Sequence, residues 1–164
     1  MPVELRDARS EDAFAIAAIY RHYVLSSAAT MEIEPPGEQE MRRRMEDVRE
    51  HGLPFLVAVE EDEIVGYGYA TSFRPRPGYR FTVEDSIYLR ADCAGRGLGR
   101  RLLEAVMHAC REAGRKQMVA VIGGNNSSSI ALHSALGFVT AGVLHDIGWK
   151  FDRPQNITFM QCEL

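Results

Sequence analysis

One stretch of this chain has the residue types and spacing to hold an anion. Ala94-Gly95-Arg96-Gly97-Leu98-Gly99-Arg100 lies between a strand-like segment and a run of Leu98, Leu102, Leu103, Val106 and Cys110 at helical spacing. Glycines there let the backbone turn tightly and let a ligand approach the amides. The helix start behind them adds free N–H groups and a positive dipole end. Arg96, Arg100 and Arg101 add charge. The combination suits a pyrophosphate, although such a loop also serves as a plain turn. The pattern G-x-x-x-x-G-K-S/T is absent, and G-x-G-x-x-G fails in both registers because position 100 is Arg and position 102 is Leu. A second set of charges comes earlier, where Arg74, Arg76 and Arg80 flank a proline-rich loop just before Glu84-Asp85. Guanidinium forks match carboxylate-like anions. Taken alone, the loop reads equally as solvated surface, and Glu84 as an ordinary solvent-facing acid. His133 follows Asn125-Asn126 within a helical pattern, where a packed histidine and a functional one are equally open. No His, Cys, Asp and Glu set has zinc-ligand spacing, so no metal is expected.

These residues need elements to position them. Residues 4–9 read as a first strand and Ser10 as the N-cap of a helix over 13–24. Glu34-Pro35-Pro36-Gly37 breaks the chain, and a second helix spans 38–51 and stops at Gly52. Phe55–Val59 and Ile64–Ser72 form a hairpin across an acidic turn, and Phe73–Tyr79 is a loop. Phe81–Leu89 is the strand before the glycine turn. The helix after the turn ends at Gly114, Met118–Ile122 is a strand, and 128–136 is a short helix closed by Gly137. Phe138–Val143 and Asn156–Glu163 read as the last strands. Strands and helices alternate without an even repeat, which makes a mixed α/β sheet.

The 164 residues, 46% hydrophobic and 26% charged, suit one domain over 1–164. Net charge is −4, against the basic surplus of a chain that wraps nucleic acid. The one dense basic run, Arg42-Arg43-Arg44, sits among acids and reads as a solvated helix with i,i+4 ion pairs. No apolar run nears a membrane span and no signal region opens the chain, so a soluble, cytoplasmic protein is expected. Cys93, Cys110 and Cys162 form no CxxC pattern, and their odd number argues against a disulfide framework.

Four stretches, in order, resemble one family. They are Tyr79–Leu89 (YRFTVEDSIYL), Gly95–Gly99 (GRGLG), Asn125–Phe138 (NNSSSIALHSALGF) and Gly148–Phe151 (GWKF). The chain resembles the GNAT superfamily of acyl-CoA-dependent N-acyltransferases, and within it the phosphinothricin and methionine sulfoximine N-acetyltransferases. The resemblance implies a mostly antiparallel central sheet flanked by helices, with acetyl-CoA as co-substrate and a small amino acid analogue as acceptor. It implies that the backbone at Ile87, Tyr88 and Leu89 pairs with the pantetheine arm, that amides of Gly95, Arg96, Gly97, Leu98, Gly99 and Arg100 hold the pyrophosphate, and that Asn126 bonds the arm. Glu84 stands at the family's catalytic glutamate, and His133 where much of the family has an acid for the leaving thiolate. The acceptor site would be Arg74, Pro75, Arg76 and Arg80, with Glu84, Asp85 and Ser86 opposite and Phe73 and Tyr79 as walls. No cysteine falls at a nucleophile position, which implies direct transfer in a ternary complex. Relatives of this kind are commonly homodimers. One departure is visible: the family's Q/R-x-x-G-x-G/A turn, matched on Gly97 and Gly99, puts Ala94 at its opening position. That removes a side-chain contact to coenzyme A, leaving the backbone cradle, with Arg96 as a compensating charge. Two other readings remain: a GNAT enzyme for another amine, such as a peptide N-terminus or a polyamine, and a non-catalytic acyl-CoA-binding module. The arginines oppose a polyamine, and Glu84 opposes a module without a base.

Overall fold

The computed structural model describes residues 2–164. Seven strands form one sheet in the order β1-β2-β3-β4-β5-β7-β6. They are β1 (Glu4–Asp7), β2 (Phe55–Glu60), β3 (Glu63–Ser72), β4 (Thr82–Leu89), β5 (Gln117–Gly123), β6 (Val139–Lys150) and β7 (Arg153–Glu163). The helices are α1 (Ala13–Ser26), α2 (Glu38–Glu50), α3 (Leu98–Glu112) and α4 (Ser127–Ala135). Every neighbouring pair is antiparallel except β4 with β5. The expected mixed, mostly antiparallel sheet flanked by helices is what forms.

Side-chain alternation along β4 divides the interior. Even-numbered Tyr88 meets Tyr20 and Tyr23 of α1 at ring distances of 5.1 and 5.0 Å, so this face looks at α1 and α2. Odd-numbered Ile87 and Leu89 face α3. Gly66 and Gly68 on β3 make room for them, because a Cβ at Gly68 would come within 2.6 Å of Ile87 Cδ1 and one at Gly66 within 2.7 Å of Leu89 Cδ2. α3 buries Leu98, Leu102, Leu103, Val106, Met107 and Cys110 on its sheet-facing stripe.

The parallel pair is short. β4 and β5 are in register only from Thr82–Gln117 to Asp85–Ala120, although β4 runs on to Leu89 and β5 to Gly123. Beyond Asp85 and Ala120 the strands part, and the sheet opens in a V.

Three local expectations change. Ser10 is not an N-cap: Ser10–Asp12 form a single 3-10 turn in which the Asp12 carboxylate accepts from the Arg9 amide at 2.7 Å. Arg6 also donates to Asp12 twice, at 2.7 and 3.0 Å. The last two strands are longer than Phe138–Val143 and Asn156–Glu163, because β6 and β7 join in a tight hairpin at Phe151-Asp152. Both residues there have positive φ, 57° and 54°, which the favoured two-residue turn demands and which Asn-Gly would have advertised. Arg44 does more than pair along its helix: besides Glu40 it clasps Glu32 at 2.7 and 3.0 Å, and Glu32 in turn accepts from Tyr20.

Candidate active site

The V between β4 and β5 is the mouth of a cleft of about 850 Å³, lined by β4 and β5 beyond the split, the 94–100 turn, the start of α4, and Tyr23 to Ala29. That is within the size usual for a ligand site. Among the described residues no three His, Cys, Asp or Glu side chains group as a metal site. No helix among them is long and apolar enough to cross a membrane.

The glycine turn forms the outer wall. Gly95 and Gly97 take φ of 76° and 78°, and a Cβ on either would meet nothing within 4 Å. These glycines therefore serve the left-handed backbone rather than space. The first backbone bond into α3 runs from Arg101 to Gly97, so the amides of Leu98, Gly99 and Arg100 have no helical partner. They would suit a pyrophosphate, and the Leu98 side chain is buried, so only its backbone is offered. Arg100 lines the cleft and pairs with Glu104 at 2.9 Å. Arg96 does not line it: its guanidinium clasps Glu60 at 3.0 and 2.5 Å, over the Cys93 sulfur.

Parting from β5 frees one edge of β4. Arg90 donates to Val65 of β3, so by alternation the even residues bond β3 and the N–H and C=O of Ile87 and Leu89 point into the gap. Tyr88, named with them from sequence, bonds β3 instead. At Leu89 both groups already meet Tyr23, whose hydroxyl donates to the carbonyl at 2.7 Å and accepts from the amide at 3.3 Å. Tyr23 carried no motif, and the sequence did not mark it. Asn126 caps α4, its Oδ1 accepting from Ser129 at 3.1 Å, which leaves its amide N–H groups on the cleft side as donors.

Glu84 and His133 lie on opposite faces of β4. Glu84 is half-buried on the α1 and α2 side. Burial, with the charge of Asp85 added, raises its pKa above the ordinary carboxylate range, and Arg74 works in the other direction. Ser86 shares that face, opposite Tyr69 of β3. Asp85 points the other way, onto α4, where its Oδ2 sits 2.9 Å from His133 Nε2. Burial opposes a charged His133, but the hydrogen bond and charge of Asp85 outweigh it and raise the ring's pKa.

The arginine loop follows β3, with a 3-10 turn at Pro77–Tyr79. It stands outside the cleft, at the Glu84 end of the sheet. Arg74 lies over the Phe73 ring at 5.3 Å, and Phe73 meets Tyr79 edge-on at 5.9 Å. Arg76 and Pro75 are exposed. Arg80 turns aside, over Phe81 at 4.5 Å and onto the Pro77 carbonyl at 3.2 Å.

One wall had no signal in the sequence. Ser27 to Met31 leave α1 and lie against Gly123, Gly124 and Gly148; a Cβ on Gly123 would overlap the Ala28 carbonyl. Buried Lys150 ties this segment down, donating to the Ser27 and Thr30 carbonyls at 2.6 and 2.8 Å. Arg153 of β7 and Phe151 complete the rim.

Known proteins share this architecture. A phosphinothricin N-acetyltransferase of Alcaligenes faecalis is 44% identical over 161 residues, covering 98% of this chain and 82% of that protein. An L-methionine sulfoximine/L-methionine sulfone acetyltransferase of Pseudomonas aeruginosa is 40% identical over 166 residues, covering 100% and 96%. The crystal structure of a GNAT superfamily phosphinothricin acetyltransferase from Sinorhizobium meliloti, in complex with AcCoA, superposes with a TM-score of 0.97 at 45% identity, covering 100% of this chain and 89% of that one. The Acetyltransferase (GNAT) domain profile matches residues 5–158. With a sheet that splits between the two strands that run parallel among the described residues, a glycine turn at the split and these relatives, the chain belongs to the GNAT acetyltransferase family.

Proposed function

We propose that this protein, acting as one catalytic domain over 1–164, transfers the acetyl group of acetyl-CoA to the amine of a small amino acid analogue of the phosphinothricin or methionine sulfoximine type. The observation that carries this reading is the split of β4 from β5 beside a glycine-built anion cradle, with a carboxylate of raised pKa on the strand that splits. Bound acetyl-CoA would supply an activated acyl carbon. The amides at 95–100, the Ile87 edge and Asn126 hold the co-substrate. An alkyl ammonium, with a pKa of about 10, must lose a proton before it attacks. Glu84 takes that proton, directly or through a water, and its raised pKa brings it nearer to the task. His133 is the acid for the departing thiolate. Transfer is direct, and a ping-pong pattern in initial rates would contradict it.

Arg74, whose charge acts on Glu84, and Arg76 on the same loop anchor the acceptor's anion, while Arg80 is held elsewhere by Phe81 and Pro77. Asp85 and Ser86 sit on the strand at the acceptor's end of the cleft. The three free cysteines fit a reducing cytoplasm. The exposed apolar residues of edge strand β6 support a homodimer.

The test is coenzyme A release, read with a thiol reagent, using acetyl-CoA with L-methionine sulfoximine and, in parallel, phosphinothricin. Saturable release with either is expected, and Arg74→Ala raises the acceptor KM about tenfold or more, as loss of one charge-assisted contact should. No release with acetyl-CoA binding intact would discard the acceptor and turn the search to other amines.

A further inference from the structure

Two arginines line the cleft, and they differ in their company. Arg100 pairs with Glu104 at 2.9 Å. Arg153, which opens β7, is exposed, and its guanidinium has no ion-pair partner among the described residues. Asp152, beside it in the turn, does not pair with it.

Its neighbour across the hairpin is another cation. Lys150 and Arg153 stand directly opposite in the β6–β7 ladder, so their side chains leave the same face of the sheet. Lys150 is 3% exposed, and its ammonium is taken up by the Ser27 and Thr30 carbonyls, which are neutral. The acid whose charge reaches it, Glu32, is clasped by Arg44. Like charges directly opposite in a ladder repel. An anion bound at this rim relieves that repulsion.

Strand register tells which end of the cleft this is. β4 and β5 run parallel with Asp85 beside Ala120, so Leu89 stands one residue past the level of Gly123. β7 runs the other way with Ile157 beside Gly123, so Arg153 stands four residues past that level, about 13 Å at the usual rise per residue. It therefore lies three residues beyond the level of Leu89, where the chain passes through Ala91–Cys93 into the glycine turn. Arg153 stands across the open end of the V from that turn. Glu84 is at the other end of β4, roughly 26 Å lower by the same rise, too far for one small acceptor to touch both.

We propose that Arg153 is a second phosphate-binding residue of the acetyl-CoA site, gripping a phosphate group of the coenzyme from the wall opposite the glycine turn. This deepens the acetyltransferase reading above and rests on it. The turn offers neutral N–H groups, which fix where a phosphate sits. The guanidinium adds a full charge and a two-pronged donor. Coenzyme A carries a pyrophosphate and a 3′-phosphate, and both have the chemistry that Arg153 recognises.

The test is one of binding. Acetyl-CoA, its 3′-dephospho form and S-acetylpantetheine, which has no phosphate, are titrated at low salt into wild type, Arg153→Ala and Arg153→Lys. Calorimetry serves the tight ligands and NMR the weak ones. Arg153→Ala is expected to weaken acetyl-CoA binding about tenfold or more, as loss of one charge-assisted contact should, and to leave S-acetylpantetheine within about twofold. Arg153→Lys keeps the charge and most of the affinity. The penalty in Arg153→Ala should shrink as salt is raised. A penalty that disappears with the dephospho form assigns the contact to the 3′-phosphate, and one that remains assigns it to the pyrophosphate. Equal acetyl-CoA affinity in wild type and Arg153→Ala overturns the proposal. So does an equal penalty with S-acetylpantetheine, which would mean that the variant had moved the Ser27–Thr30 wall instead. A wild type that binds no acetyl-CoA would remove the acetyltransferase reading, and this contact with it.

Discussion

Glu84 and Asp85 are neighbours in sequence with opposite surroundings. Alternation on β4 sends one carboxylate to the α1 and α2 face and the other onto α4, so one backbone step separates a base for the amine from a partner for His133. Glu84→Gln is expected to lower kcat about 10²–10⁴-fold, the usual range for loss of a general base, while acetyl-CoA binding changes less than about threefold. Stopped-flow single turnovers together with a calorimetric binding isotherm would check both halves. Because burial and Asp85 raise the Glu84 pKa, wild-type kcat should fall as pH drops through a value above the usual glutamate range. Unchanged turnover in the variant would take Glu84 out of the mechanism. The type and place of Glu84 were legible in the sequence through the family's motif. The pairing of Asp85 with His133 was not, because 48 residues separate them and no local pattern links a strand position to a helix position that far along the chain.

At the scale of elements, the turn before α3 and the entry into α1 depend on single residues. Gly97 is the N-cap of α3 at φ 78°, where a side chain costs about 1–2 kcal/mol. Gly97→Ala should lower the melting temperature and weaken acetyl-CoA binding together, since the same backbone bends the chain and presents the amides. A melt and a binding isotherm on one preparation would show whether the two losses coincide. At the other end, burial works against a charged Asp12, but hydrogen bonds from Arg6 and the Arg9 amide outweigh it and hold the carboxyl below its ordinary range. A depressed folded-state pKa stabilises above the unfolded value of about 3.9 and ceases to do so as pH falls through the folded value. Asp12→Asn should therefore cost about 2 kcal/mol at pH 7, and progressively less in acid, as chemical denaturation at pH 7 and pH 3 would reveal. α2 and α3 were readable because their apolar residues recur at helical spacing, and α2, α3 and α4 because Gly52, Gly114 and Gly137 follow them; β2, β3 and β4 were readable as short apolar runs bounded by turn residues. The β6–β7 hairpin was missed because Phe151-Asp152 occupy positive φ without the usual turn residues.

For the molecule as a whole, the outer edge of the sheet is the telling feature. β6 is exposed almost throughout, with Val139, Ile147 and Trp149 at 67%, 60% and 66%. A long apolar edge strand invites pairing with another chain unless something covers it. Ile147→Asp is expected to weaken self-association at least tenfold, as sedimentation velocity over a concentration series would measure. A monomeric wild type at high concentration would remove the dimer from the proposal. If the dimer forms, its loss should also disturb the site, because β6 ends at Lys150, which holds the Ser27–Thr30 wall of the cleft.

By itself the amino-acid sequence determined the α/β class, the order of most elements, the anion turn and the family, because each is written in local spacing: glycines at a strand-to-helix junction, apolar residues at periods of two or 3.6, and short motifs in order. Only the tertiary structure decided where β4 leaves β5, which backbone edge that frees, that Arg96 and Arg80 turn away while Asp85 meets His133, and that the segment after α1 closes the cleft. Those outcomes depend on packing between residues distant in the chain, where volume, charge pairing and the hydrogen-bonding of buried groups choose among arrangements that the local sequence permits equally.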